Sequence, residues 1–173
     1  LILLAKKSGI ENIYLHAFTD GRDCDPKSGL GFINDLSAHL KNHVGTIASI
    51  VGRYYAMDRD KRWERVKVAY DALVKGIGTK TTDVITAIEA AYAKDITDEF
   101  MPPIIATDAS GQPIAKIKEG DVVMCFNFRT DRGREITEVL TQRDFPDEDM
   151  YKLLLHYVTM TSYDDSFQNV KVI

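Results

Sequence analysis

Continuous apolar runs occur at four places along the chain and have the length and composition of buried β-strands. The runs are rich in Ile, Val, Leu, Tyr and Phe, which favours strands over helices at this length. They are residues 12–18, 46–51, 121–128 and 152–160. Because these runs do not alternate between apolar and polar positions, we expect both faces of their sheet to be covered.

Helical spacing of apolar residues fills the segments between these runs. Ser28 is a candidate N-cap for a helix with Ile33, Leu36 and Leu40 on one stripe. The remaining predicted helices are residues 60–75, a helix capped by Thr82, and residues 132–143. Strands that alternate with helices predict an α/β fold, with a mostly parallel sheet and helices on both faces, in a single domain.

Residues 101–116 have neither pattern. Pro102, Pro103 and the turn sequence DASGQP break this segment into short extended pieces. We expect a hairpin here.

Composition and charge exclude several classes of protein. With 173 residues and 45% hydrophobic positions, one globular domain is the default. A net charge of −4 argues against binding to nucleic acid or to a membrane surface. No apolar run reaches the roughly 18 to 20 residues that span a bilayer. Cys24 and Cys125 lack CxxC spacing and are interpreted as reduced thiols of a cytoplasmic protein.

The two ends of the sequence lie within predicted elements. The chain begins in an apolar segment and finishes on the strand-like run NVKVI. We therefore expect a piece excised from a longer chain.

Arginines follow three of the predicted strands directly. They are Arg22 in TDGRD, Arg53 and Arg59 in VGRYYAMDRD, and Arg129 and Arg132 in NFRTDR. In a parallel sheet the carboxyl ends of the strands share one edge, where open α/β sheets bind ligands. Gly21 and Gly52 precede two of these arginines and permit close backbone approach. Arginine binds carboxylate or phosphate with two parallel hydrogen bonds, so the set predicts a site for a small ligand with at least two anionic groups.

Ion pairing within the protein is the alternative interpretation of each arginine. The available acids are Asp20, Asp23, Asp58, Asp60 and Asp131. The repeated placement after three strands favours an anion site over this alternative. A second basic group is assigned to the solvated face of the helix that carries Trp63; its members are Lys61, Arg62 and Arg65.

Catalytic and metal-binding motifs are not found in the sequence. His16 lies within an apolar run and is interpreted as a core histidine. The other histidines show no ligand spacing, so no metal site is predicted. There is no nucleophile with a base at recognisable spacing.

The motifs DGRD, GRYYAMDRDKRWER and NFRTDRGRE, in that order, resemble the cofactor-independent phosphoglycerate mutases. The resemblance covers essentially residues 1–173. It implies the phosphotransferase, or substrate-binding, domain, which in this family is inserted into a metal-dependent phosphatase domain related to alkaline phosphatase. The family interconverts 3-phosphoglycerate and 2-phosphoglycerate, in glycolysis and gluconeogenesis, through a phosphoserine intermediate.

The resemblance also implies roles for individual residues. Asp23 would be the catalytic acid/base and a substrate ligand, with Arg22 beside it. Arg53 and Arg59 would bind chiefly the carboxylate end of the substrate. Arg129 and Arg132 would bind near the phosphate.

The resemblance leaves out the reactive half of the enzyme. The serine and two metal ions, usually Mn²⁺, belong to the phosphatase domain, which is absent from this chain and would be its partner. We therefore expect this chain to bind no metal and to be inactive alone. The alternative is a stand-alone, non-catalytic binding module for a small phosphorylated hydroxy acid.

Overall fold

Two structural units make up the chain, and the computed structural model describes residues 1–173. The first unit comprises Leu1–Arg53 and Gly76–Ala115, and the second comprises Tyr54–Lys75 and Lys116–Ile173. Each unit has its own β-sheet. The assignment of residues 1–173 to one substrate-binding domain stays a prediction.

Helices alternate with strands along most of the chain. The α-helices are α1 (Ile2–Lys7), α2 (Gly29–Lys41), α3 (Arg53–Ala56), α4 (Trp63–Tyr70), α5 (Val84–Tyr92) and α6 (Thr130–Thr141). A π-helical turn covers Asp71–Lys75, and 3₁₀ turns cover Asp98–Phe100 and Pro146–Glu148. None of the helices combines the length and the apolar character needed to cross a membrane.

The first unit is built on a four-stranded sheet with the strand order β1-β2-β4-β3. Its strands are β1 (Tyr14–Thr19), β2 (Thr46–Gly52), β3 (Thr79–Thr81) and β4 (Ile104–Ala106). β1 pairs with β2 and β3 pairs with β4 in parallel, whereas β2 and β4 are antiparallel. Thr19 is the register partner of Gly52. The residues that follow β1 and β2 therefore start from adjacent points on the carboxyl edge of the sheet.

An apolar cluster holds α2 and α5 against this sheet. Ile33 and Leu40 of α2 and Ile88 of α5 belong to one core cluster with Ile47 and Ile50 of β2. All five side chains are at most 7% exposed. Removal of this apolar surface from water stabilises the layer of helices on the strand that leads into Arg53.

The second unit contains a three-stranded, fully parallel sheet with the order β5-β6-β7. Its strands are β5 (Val122–Cys125), β6 (His156–Thr159) and β7 (Val170–Val172). Helices α4 and α6 pack against each other in this unit. Val66 of α4 and Val139 and Leu140 of α6 are buried there.

The predicted α/β class with mostly parallel pairing is confirmed, because four of the five strand pairs are parallel. The expectation that the strands ending in arginines share one sheet is wrong. β5 pairs with β6 in the second unit and not with β1 or β2. Apolar runs indicate that a segment is a strand, but they carry no information on its pairing partner.

Helix starts differ from the sequence-based expectation at two places. Asp83, not Thr82, caps α5, with its carboxylate accepting from the backbone N–H of Ile85. Ser28 precedes α2 but its hydroxyl donates to the carbonyl of Asp25 instead of capping the helix. In both helices an aspartate side chain accepts from the first backbone N–H groups: Asp83 for α5, and Asp98, which accepts from the Gly29 N–H, for α2.

Two other segments also differ in extent. The helix predicted over residues 60–75 begins at Trp63 and continues past Tyr70 as a π-helical turn. In residues 101–116, β4 joins the sheet, and the following turn is closed by an isolated antiparallel bridge between Thr107 and Pro113. The hairpin predicted for residues 101–116 is therefore limited to the turn between Thr107 and Pro113.

Candidate functional site

Arg53 and Asp23 meet where β1 and β2 end. The Arg53 side chain is 5% exposed, and its Nη1 donates to Asp23 Oδ2 at 2.7 Å and to Asp20 Oδ1 at 2.6 Å. Asp20 Oδ1 also accepts from the backbone N–H groups of Arg22 and Asp23. The loop after β1 is therefore closed around one carboxylate and fixed to the end of β2.

Two glycines allow the backbone to approach closely at this edge. A Cβ atom on Gly52 would lie 2.5 Å from the Met101 nitrogen, and one on Gly21 would lie 2.7 Å from the Glu99 nitrogen. Gly21 also has a φ of +65°, which glycine adopts without strain. The expected close approach at Gly21 and Gly52 is confirmed. The neighbouring backbone is that of the 3₁₀ turn Asp98–Phe100 and of Met101.

Hydrogen bonds keep Asp20 and Arg53 charged. Burial raises the pKa of the Asp20 carboxyl, but hydrogen bonds from Arg53 and from two backbone N–H groups lower it more, so the net pKa lies below its usual value. Burial lowers the pKa of the Arg53 guanidinium, but the hydrogen bonds to Asp23 and Asp20 raise it by more. The net pKa of Arg53 is therefore above its usual value. Arg53 is therefore a fixed cation against which Asp23 is held.

Arg22 and Asp23 differ from Arg53 in their exposure to solvent. The Arg22 side chain is 61% exposed and its Nη1 donates to Glu99 Oε1 at 3.2 Å. The Asp23 side chain is 59% exposed. This loop thus presents one cation and one carboxylate to solvent while the buried Arg53 orients the carboxylate.

The other three predicted arginines lie in the second unit and converge on the first turn of α6. Asp131 accepts from Arg129 Nε at 2.8 Å and from Arg59 Nη1 at 2.8 Å. Arg132 donates from Nη1 to the carbonyl of Met57 at 2.8 Å. The structure therefore joins Arg59 and Arg129 through a shared carboxylate, as the ion-pair interpretation of the sequence anticipated for Asp131.

Asp131 is the most strongly acidified carboxyl group of this cluster. The hydrogen bond from Arg129, opposed by burial and assisted by Arg59, lowers its pKa to about 2. About half of the Arg59 and Arg129 side-chain surface remains exposed. The cluster keeps two accessible cations in place by means of one anion.

The second basic group, Lys61, Arg62 and Arg65, does not form one solvated helix face as the sequence predicts, because only Arg65 lies within α4. Lys61 lies before α4 with a φ of +58°, and Arg62 precedes the first helical residue. Arg62 Nη1 pairs with Asp60 Oδ2 at 2.6 Å, and Arg65 stacks over the ring of Tyr54 at 3.9 Å. Arg62 and Arg65 are thus engaged in contacts within the second unit.

Three buried acids support these loops; Asp98 and Glu135 were missed in the sequence, and Asp58 was named there only as a candidate ion-pair partner. Asp98 is fully buried and accepts from the Gly29 N–H and from the Tyr92 hydroxyl. Asp58 and Glu135 are buried in the second unit, 5% and 4% exposed. No local pattern marks them, because each is buried by groups distant in sequence.

We assign no catalytic or ligand-binding role to the histidines and cysteines. His16 is half-buried in β1; it bonds to the Ser49 hydroxyl at 2.7 Å, and burial lowers its pKa to about 4, which fits a hydrogen-bonded structural histidine. Cys24 is exposed, Cys125 is buried, and both are free thiols.

The residues of this chain do not fit a manganese site. Nowhere do three His, Cys, Asp or Glu side chains come together in an arrangement that could hold a metal ion. His39 and His43 stack with ring centroids 4.4 Å apart, but no third such ligand joins them.

Comparison with known proteins gives consistent matches. The family model described as BPG-independent PGAM N-terminus matches residues 1–165. The 2,3-bisphosphoglycerate-independent phosphoglycerate mutase of Flavobacterium johnsoniae is 57% identical over 173 residues, which are 100% of this chain and 34% of the relative. The enzyme of the same name from Bacteroides thetaiotaomicron is 54% identical over 98% of this chain and 33% of the relative.

A solved structure agrees with these sequence matches. The crystal structure of Leishmania mexicana phosphoglycerate mutase at low cobalt concentration superposes with a TM-score of 0.86 and 34% identity. The match covers 95% of this chain and 32% of the Leishmania mexicana chain. The chain therefore spans about a third of the length of the proteins it matches.

Proposed function

The chain belongs to the BPG-independent phosphoglycerate mutase N-terminal family, and on that premise we propose that it is the substrate-binding part of a cofactor-independent phosphoglycerate mutase. The full-length protein would interconvert 3-phosphoglycerate and 2-phosphoglycerate through a phosphoserine intermediate. The observation that supports this most is the exposed Asp23 carboxylate held at 2.7 Å by the buried Arg53.

Proton transfer at Asp23 is the chemical step that we assign to this chain. When the phosphoryl group returns from the phosphoserine to a glycerate hydroxyl, the hydroxyl loses its proton to the Asp23 carboxylate. When the serine is loaded, the protonated Asp23 returns the proton to the departing alkoxide. Arg53 supports this step because it holds the Asp23 carboxylate in place and takes no part in the proton transfer itself.

Substrate binding is proposed for Asp23 and for the arginines that the sequence motifs named. They are Arg22, Arg53, Arg59, Arg129 and Arg132. Arginine binds carboxylate and phosphate oxygens with two parallel hydrogen bonds. Because Arg53 is buried and bonded to two aspartates, we expect it to contribute mainly through Asp23.

The remainder of the full-length enzyme is proposed to supply the reactive serine and two divalent metal ions, with Mn²⁺ the expected species. The phosphatase domain of the same polypeptide would be the partner of this chain. We expect the enzyme in the cytoplasm, where its glycolytic substrates are found. No nucleic acid or membrane is part of the proposal.

Paired assays of the full-length enzyme and of residues 1–173 test this function. With Mn²⁺, the full-length enzyme should convert 3-phosphoglycerate to 2-phosphoglycerate, and residues 1–173 should show no conversion. Calorimetry with residues 1–173 should give binding weaker than micromolar. Absence of conversion by the full-length enzyme would refute the proposal, and a micromolar dissociation constant for residues 1–173 would favour the stand-alone binding module.

A further inference from the structure

Two buried carboxyl groups contact each other in the second unit. Asp58 and Glu135 are 5% and 4% exposed, and each carboxyl group shifts the pKa of the other, which places the two side by side. Glu135 Oε2 is buried and receives no hydrogen bond from an N–H or hydroxyl group. Two ionised carboxylates repel each other when they are buried together, and neither can donate a hydrogen bond, so this arrangement favours a proton on one of them.

This pair binds three consecutive backbone N–H groups of one loop. Asp58 Oδ2 accepts from the nitrogens of Asp60 and Arg62, both at 3.0 Å. Glu135 Oε1 accepts from the Lys61 nitrogen at 2.8 Å. Lys61 has a φ of +58°, a left-handed conformation that costs free energy for a side chain with a Cβ. The two carboxyl groups therefore stabilise a loop conformation that the sequence alone disfavours.

Arg59 lies within this loop and is held by the same helix. Its guanidinium donates to Asp131, which precedes Glu135 by four residues on α6 and so lies on the same helix face. Arg132, also on α6, donates to the Met57 carbonyl. Helix α6 thus fixes the backbone on both sides of Arg59 as well as its guanidinium group.

We propose that Glu135, together with Asp58, is a positioning residue for Arg59 in substrate binding. The inference rests on the proposed function, because Arg59 is a substrate ligand only in that proposal. Because Glu135 is buried, we assign it no direct contact with substrate. It acts by holding the Lys61 N–H and, through Asp58, the neighbouring N–H groups.

The charge state of the pair makes this role pH-dependent. Burial raises the pKa of the Glu135 carboxyl to about 7, with Asp58 and Glu138 adding to the effect and the Lys61 N–H opposing it. The remaining charged groups near the pair are Asp60, Arg62 and Arg65 on the loop and α4, and Asp131 on α6. As the pH rises through about 7, the proton is lost and two buried negative charges face each other. The hold on the loop then weakens and the KM for phosphoglycerate rises.

Glu135→Gln, Glu135→Ala and the control Glu138→Gln, all in the full-length enzyme, test the inference. The glutamine amide donates to Asp58 and its oxygen accepts from Lys61 at any pH, so the variant mimics the protonated pair. We expect the wild-type KM for 3-phosphoglycerate to rise between about pH 6 and about pH 9 and the Glu135→Gln KM to stay flat. Glu135→Ala should raise KM about tenfold throughout, with kcat within about threefold, because one charged hydrogen bond to substrate is weakened.

The control and the failure outcomes separate this inference from the proposed function. Glu138, which pairs with Arg143 on the same helix, is changed in the same way. Because Glu138 is the weakest of the groups that raise the Glu135 pKa, Glu138→Gln should keep the rise in KM and move its midpoint only slightly to lower pH. A wild-type enzyme without mutase activity refutes the proposed function. An active wild type whose KM profile matches that of Glu135→Gln overturns the positioning role, and so does an equal effect of Glu138→Gln. If Glu135→Ala does not fold, the comparison of wild type with Glu135→Gln decides alone.

Discussion

The Arg53 guanidinium lies 2.7 Å from the Asp23 carboxylate, from Nη1 to Oδ2, although the two side chains differ greatly in exposure. Arg53 is 5% exposed and Asp23 is 59% exposed. A buried cation at the end of β2 therefore sets the orientation of a solvent-exposed carboxylate on the loop after β1. In the proposed reaction this arrangement keeps a proton acceptor in place while leaving it open to a hydroxyl group.

Asp23→Asn should reduce kcat of the full-length enzyme by about 10² to 10⁴, the usual worth of general acid-base catalysis. The amide keeps the shape of the side chain and an oxygen that accepts from Arg53, but it exchanges no proton. KM should change little, because the arginines remain. Steady-state kinetics in both directions measures the two constants.

The control for Asp23→Asn is Asp25→Asn. Asp25 lies on the same loop, and its carboxylate accepts one hydrogen bond, from the backbone N–H of the nearby Lys27. This change should leave kcat within about twofold, as surface substitutions usually do. A raised KM with kcat within tenfold of wild type for Asp23→Asn would show that Asp23 only orients Arg22.

Arg129→Ala and Arg132→Ala should each weaken kcat/KM of the full-length enzyme by about 1.5–3 kcal/mol, the usual worth of a hydrogen bond to a charged group. Arg62→Ala is the matched comparison, since Arg62 pairs with Asp60 and Asp58. It should cost far less activity. Kinetics that make Arg62 as important as Arg129 would contradict the assignment of substrate ligands.

Part of the arrangement around Arg53 could be anticipated from the sequence, because the ends of the strands are marked locally. Apolar runs mark β1 and β2, and the residues directly after them must lie at strand ends. Their parallel pairing then brings Asp23 to Arg53. The placement of Arg129 could not be inferred in the same way, because no local signal shows that β5 pairs with β6 and not with β1 or β2.

Buried acids are the features that local patterns miss. Asp98 stands in the polar sequence TDEF, and its partner Gly29 is 69 positions away. Glu135 precedes the apolar Ile136 in α6 and looks like an ordinary polar helix residue. The burial of such groups depends on tertiary partners that satisfy their hydrogen bonds, so a single sequence does not reveal it.

Asp131→Asn should flatten the acid dependence of stability of residues 1–173. The hydrogen bonds from Arg129 and Arg59 hold the Asp131 pKa at about 2, below its value in the unfolded chain. Such a group stabilises the fold above the unfolded pKa, and this contribution is lost as the pH falls from about 4 towards about 2. The asparagine variant carries no charge and should lose less stability over this interval.

Urea unfolding at several pH values, followed by circular dichroism, measures this difference. Asp147→Asn is the control, because Asp147 is an exposed acid of the same unit in a 3₁₀ turn. It should follow the wild-type curve. Parallel curves for wild type and Asp131→Asn would show that the Asp131 ion pairs contribute nothing to stability.

Asp98→Ala should destabilise residues 1–173 by about 3 kcal/mol, because it leaves buried donors without an acceptor. Asp98 Oδ2 accepts from the Gly29 N–H at 2.7 Å, and Oδ1 accepts from the Tyr92 hydroxyl at 2.6 Å. Through these bonds it caps α2 and supports the turn against which Gly21 and Gly52 pack.

Asp98→Asn separates the role of the hydrogen bonds from that of the charge. Its oxygen accepts from Gly29 and its amide donates to the Tyr92 oxygen, so both contacts persist with one donor reversed. We expect it to lose about 1 kcal/mol, less than Asp98→Ala, since a charge-assisted bond becomes a neutral one. Asp35→Ala, at an exposed acid of α2, should change stability by no more than about 0.5 kcal/mol. Urea midpoints that place Asp98→Ala beside Asp35→Ala would show that the buried carboxylate does not hold the start of α2.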